Sequence, residues 1–70
     1  MKREPVKSAN LAAVGYDELA RVLEVQFVTG SVYQYREVPP DIFKALMAAE
    51  SKGHYFASNI LKRFAYRFIS

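Results

Sequence analysis

One histidine, His54, no cysteine, and single glycines at positions 15, 30 and 53 set the chemistry open to this 70-residue chain. A Ser-His-Asp relay needs the histidine to meet both a hydroxyl nucleophile and an orienting acid. Ser51 and Ser58 lie near His54, but their spacing sets up no such relay, and a lone histidine beside a glycine at a helix start reads as a solvated polar residue. Asp17 and Glu18 are adjacent carboxylates, a pattern that serves turn geometry more readily than acid–base work. One histidine without cysteine supports no metal site, and glycines standing singly form no phosphate-cradling loop. The expectation is no catalytic residue, no metal, no cofactor, and therefore no enzyme.

Binding chemistry has better material. Single-stranded nucleic acid is held by aromatic faces that stack bases and by Lys or Arg that track phosphates. Lys62, Arg63 and Arg67 interleave with Phe64, Tyr66 and Phe68, supplying both groups within a few residues. The net charge of +3 is unevenly spread. Residues 1–8 carry +2 from Lys2, Arg3 and Lys7 against Glu4; residues 9–50 carry −3; residues 51–70 carry +4 from Lys52, Lys62, Arg63 and Arg67. Such asymmetry points toward an anionic partner. The candidate nucleic-acid contacts are Lys52, Lys62, Arg63, Tyr66 and Arg67, with Lys2, Arg3 and Lys7. The plainer reading is that Phe64 and Phe68 plug a sheet while the cations form a solvated edge. The rival function is protein interaction or homodimerisation through a sheet edge and the aromatic tail. A continuous basic stripe joining the two ends of the chain would favour RNA; an apolar edge patch would favour a protein partner.

These residues must be positioned by one small domain. A composition of 51% hydrophobic and 14% aromatic residues suits a packed core. We read residues 1–8 as a polar N-terminal segment and 9–70 as the domain. No apolar run resembles a leader or a membrane span, so a soluble cytoplasmic protein with no membrane contact is expected.

Leu11 to Tyr16 reads as a first strand whose broken alternation suggests a bulge near Gly15. Val22–Val28 is the clearest period-2 strand, and Ser31–Val38 is a third. A two-residue turn at Thr29-Gly30 would place Tyr33 and Tyr35 beside Glu24 and Gln26. A three-residue turn with Gly30 left-handed pairs Val25 with Tyr33 and Leu23 with Tyr35, and segregates polar Glu24, Gln26, Gln34 and Arg36 onto the solvent face. The second register is preferred, with the tyrosines in or at the rim of the core. Pro39-Pro40-Asp41 opens a helix that Gly53 stops, and a second helix runs from about His54 to Arg63. Phe64, Tyr66 and Phe68 then alternate along an extended tail that can serve as an extra strand. The fold class is α+β: a three-stranded antiparallel meander, two helices on one face, and the tail.

In this order the chain resembles the KTSC domain family, which occurs at the C-terminus of some lysyl-tRNA synthetases and as small stand-alone bacterial proteins. The resemblance rests on Val14-Gly15-Tyr16-Asp17, the Leu23, Val25, Phe27 strand, Gly30, Tyr33-Gln34-Tyr35, Val38-Pro39, and Ser51-x-Gly53-x-Tyr55-Phe56 followed by Ile60. It runs from about Val6 to the end; where members often carry a proline after the aromatic closing the last helix, this chain has Ala65. It marks Tyr16, Asp17, Tyr33, Tyr35, Gly53, Tyr55 and Phe56 as motif residues, structural or stacking. The family has no established activity, and its synthetase context implies association with RNA of the tRNA type.

Overall fold

The computed structural model describes residues 1–70 as a five-stranded antiparallel sheet with two helices packed on one face. The strands are β1 (Glu4–Pro5), β2 (Leu11–Asp17), β3 (Val22–Phe27), β4 (Val32–Tyr35) and β5 (Tyr66–Phe68), and their spatial order is their chain order. The helices α1 (Pro40–Ala48) and α2 (Lys52–Asn59) lie between β4 and β5 in the chain. The α+β class and the helices on one face match the expectation; the strand count does not. The additional strands are β5, from the extended tail, and β1, inside the segment read as polar lead-in.

The hairpin joining β3 and β4 takes the preferred register, with Leu23 opposite Tyr35 and Val25 opposite Tyr33. Gly30 has φ +100°, and the Phe27 N–H donates to the Ser31 carbonyl at 2.9 Å, closing the longer turn. Only glycine adopts that φ without strain, so the turn residue selects the face the tyrosines occupy. The bulge lies at Ala12, between Leu11 and Ala13, rather than near Gly15. It moves Leu11 and Val14, three apart, onto one buried face.

Pro40 sits in the first turn of α1, where its missing N–H costs nothing, and Asp41 favours the positive end of the helix. That helix ends at Ala48, and Ala49 is already extended, with ψ 139°. Gly53 is therefore not its stop but lies within α2. A Cβ there would stand 3.3 Å from the side chains of Ser8 and Asn10, so the glycine admits the segment entering β2. The start of α2 is set by Ser51, whose hydroxyl accepts from the His54 N–H at 3.3 Å. It ends at Asn59 rather than Arg63, because the Leu61 and Arg63 N–H groups turn back to Phe56 and Ile60.

The core gathers Leu11, Val14, Leu23, Val25, Tyr35, Val38, Leu46, Phe56 and Ile60 between the sheet and the helices. Tyr16 belongs to the same packing: its ring stacks on Phe43 of α1 at 4.7 Å, and its hydroxyl donates to the Val38 carbonyl. Partial burial raises its pKa. Asp17, the last residue of β2, accepts from the Ala20 N–H at 3.2 Å and shapes the following turn.

Candidate nucleic-acid interface

Alternation along the strands decides which side chains meet. On the helix side of the sheet Tyr33 stands opposite Phe68, and Tyr35 opposite Tyr66. The helices cover only part of this face. Phe56 from α2 packs edge-on against Tyr35 and Phe27, with centroids 5.3 and 5.5 Å apart, and nothing covers Tyr66 and Phe68, which are 58% and 60% exposed. Beside them opens a groove of about 870 Å³ between the β4–β5 side of the sheet and the chain leaving α2. Tyr33 and Tyr66 line it from the sheet, Leu61, Lys62 and Phe64 from the far side, and Thr29 and Ser31 at one end.

The aromatic residues divide by depth. Tyr35 is 2% exposed, and burial, with lesser contributions from Tyr33 and Tyr66, pushes its pKa up to about 12. It is a core residue. Tyr33 is half-buried, with Tyr66 and Phe68 edge-on against it at 5.7 and 5.3 Å, and so forms the groove floor. Tyr66 and Phe68 are the exposed rings of this side of the sheet. Among the other motif residues, Phe56 is buried, Tyr55 is half-buried against the core, and Tyr16, Asp17 and Gly53 hold the framework as described above.

The cations do not converge. Lys62 lines the groove, and exposed Arg63 follows it in the turn whose N–H donates to Ile60. Arg67 is paired with Gln34, on the sheet face opposite Tyr66 and Phe68. Lys52 starts α2, where its ammonium donates to the Ala49 carbonyl at 3.2 Å, roughly 12 Å along the helix from its far end. Lys2, Arg3 and Lys7 belong to the β1 edge, four strand spacings or roughly 19 Å from β5. No continuous basic stripe joins the two ends of the chain. The β5 edge carries exposed apolar side chains on both faces, Tyr66 and Phe68 on the helix side and Ile69 on the other, the feature that favours a protein partner.

Arg3 has a different role from the one expected. On the sheet face without helices, Glu24 is 7% exposed, correcting its assignment to the solvent side. Its carboxylate accepts from Gln34 Nε2 at 2.8 Å and pairs with Arg3 Nη1 at 3.2 Å. Gly15 lies between Arg3 and Glu24, and a Cβ on it would meet Arg3 Cγ at 3.2 Å. The glycine of Val-Gly-Tyr thus clears the path by which Arg3 crosses β2 to reach β3. No group of three or more histidine, aspartate or glutamate side chains stands close enough to hold a metal ion, and no helix is long and apolar enough to cross a membrane.

Comparison with known proteins gives consistent relatives. The model of the KTSC domain matches residues 7–64. An uncharacterised protein of Stutzerimonas stutzeri is 40% identical over 68 residues, covering 97% of this chain and 94% of the relative. The crystal structure of a KTSC domain protein from Yersinia pestis superposes with a TM-score of 0.93 at 40% identity, covering 99% of this chain and 97% of that one. A lysine–tRNA ligase of Nostoc punctiforme is 36% identical over 55 residues, which are 79% of this chain but 10% of the ligase.

Proposed function

The chain belongs to the KTSC domain family, and we propose that it is a non-enzymatic binding module for RNA, acting through the groove beside β5. The observation that carries this reading is the exposed Tyr66 ring lining a groove with Lys62 on its opposite wall, and the exposed Phe68 ring next to it on the same strand face. It outweighs the missing basic stripe, because a single strand needs a stacking ring with a cation beside it rather than a charged surface spanning the sheet. Stacking supplies affinity independent of sequence, and Lys62 and Arg63 supply phosphate contacts. Similarity to a segment of a lysine–tRNA ligase supports RNA of the tRNA type as the ligand class. Titration of tRNA and mixed oligonucleotides at low and moderate salt tests it, with a Lys62→Ala/Arg63→Ala variant as comparison. Weaker binding by the variant is the expected result. Equal, negligible binding by both proteins rejects RNA as the ligand.

The second reading is a protein-interaction module, favoured by the exposed apolar side chains on the open edge strand. Self-pairing of β5 in the register centred on Arg67 is disfavoured, since it sets two guanidinium groups directly opposite each other. A heterologous strand carrying an acid at that position would meet no such repulsion. Sedimentation at rising concentration separates the two forms: a monomer throughout removes homodimerisation and leaves a foreign strand.

A further inference from the structure

We infer, resting on the RNA reading above, that the groove and the strand face next to it take unpaired nucleotides, with one base on Tyr66 at the groove wall and one on Phe68 beside it, and do not take duplex. Two independent observations lead there. The first is the ring geometry. Tyr66 and Phe68 are alternate residues of one strand, so their side chains emerge on the same face about 7 Å apart, twice the 3.4 Å rise of a stacked nucleic-acid strand. Bases held one per ring must be splayed from each other, which pairing in a duplex forbids. Tyr33 lies half-buried beneath them, T-shaped to both rings with centroids 5.7 and 5.3 Å away, and supports them from the core side.

The second is the placement of charge. Duplex RNA is read by cations spaced across a broad surface that reach phosphates on both strands. Here Arg67 faces the other side of the sheet, Arg3 is engaged by Glu24, and Lys52 is tied to Ala49. Lys62 remains in the groove wall and exposed Arg63 follows it in the chain, enough for one or two phosphates of a single strand. The corresponding logarithmic salt slope is shallow, about −0.7 to −1.4.

The test is a fluorescence-anisotropy titration of a short mixed-sequence single-stranded RNA and of a hairpin closing the same sequence into duplex. The proteins are wild type, Tyr66→Leu, Phe68→Leu, Lys62→Ala and Arg67→Ala, each checked by thermal melting. Leucine keeps an apolar side chain on the strand while removing the π face, so a folded variant separates stacking from packing. The expected result is single strand preferred over duplex. Each leucine variant should lose roughly five- to hundred-fold in affinity for it. Arg67→Ala should bind within about two-fold of wild type, because it touches neither groove wall. Equal or tighter binding of the duplex, or full affinity in both leucine variants, overturns the inference while leaving RNA binding standing. Absence of binding to either RNA overturns the RNA reading itself.

Discussion

A methyl group at Gly15 would stand 2.6 Å from the Lys2 carbonyl oxygen and 3.2 Å from Arg3 Cγ. The first contact is with backbone, so a Gly15→Ala chain must move β1 away from β2. Arg3 moves with β1, and Glu24 loses its cation while remaining largely buried. Breaking a fully buried ion pair costs about 3–5 kcal/mol. Arg3 is 31% exposed and the Gln34 hydrogen bond survives, which reduces the term to about 1–2 kcal/mol. Loss of the short β1–β2 ladder adds about 1 kcal/mol, giving roughly 2–3 kcal/mol in all. At about 2.1 cal/mol/K of unfolding entropy per residue, a chain of this length melts roughly 13–20 °C lower. Thermal denaturation followed by circular dichroism reads this directly. The decisive comparison is the same substitution in a chain lacking residues 1–5, where the clash and the Arg3–Glu24 pair are already gone. There Gly15→Ala should be neutral within about 0.5 kcal/mol or slightly stabilising, as alanine loses less backbone entropy than glycine. An equal loss in both backgrounds refutes the role assigned to this glycine.

Other substitutions probe separate parts of the framework. Ser51→Ala removes the hydroxyl that caps α2 and should cost about 1 kcal/mol in chemical denaturation. Tyr16→Phe keeps the stack on Phe43 but leaves the Val38 carbonyl without its donor, a loss of about 0.5–1.5 kcal/mol by the same measurement. Leu46→Ala, at a fully buried position of α1, should cost about 2–5 kcal/mol. The Tyr35 hydroxyl has its pKa raised from 10.0 to about 12, so the folded state holds this proton more tightly than the unfolded chain. Its stabilising contribution is complete below pH 10 and is lost as pH rises toward about 12. Melting temperatures across that window should fall less steeply for Tyr35→Phe than for wild type; identical slopes would refute the assignment.

Much of the fold is legible wherever local chemistry and periodicity agree. The β3–β4 register follows from Gly30 and the alternation of Leu23, Val25 and Phe27, since a one-residue slip would carry the tyrosines to the other face. Helix ends were less legible. Gly53 has the composition of a stop but serves a close approach of Ser8 and Asn10, a contact more than forty residues away along the chain. Ser51, three residues before His54, was the available signal for the start of α2. The spacing of Leu11 and Val14 signals a bulge but not its place: Gly15 offers an obvious local reason for one, yet its role is to admit Lys2, and the extra residue is Ala12.

The sequence by itself determined an α+β order of elements, the face occupied by Tyr33 and Tyr35, and the proximity of aromatic and basic residues in the C-terminal tail. Those properties depend on φ at one turn and on repeats of two and about 3.6 residues, which act over short stretches of chain. Tertiary structure alone decided that β1 joins the far edge of the sheet, that Glu24 is buried under Arg3, and that Lys52 and the N-terminal cations stand away from the groove. It also decided the division of the tail. Once β5 pairs with β4, the pleat sends Tyr66 and Phe68 to the helix side and Arg67 to the other, so residues adjacent in sequence act on opposite surfaces.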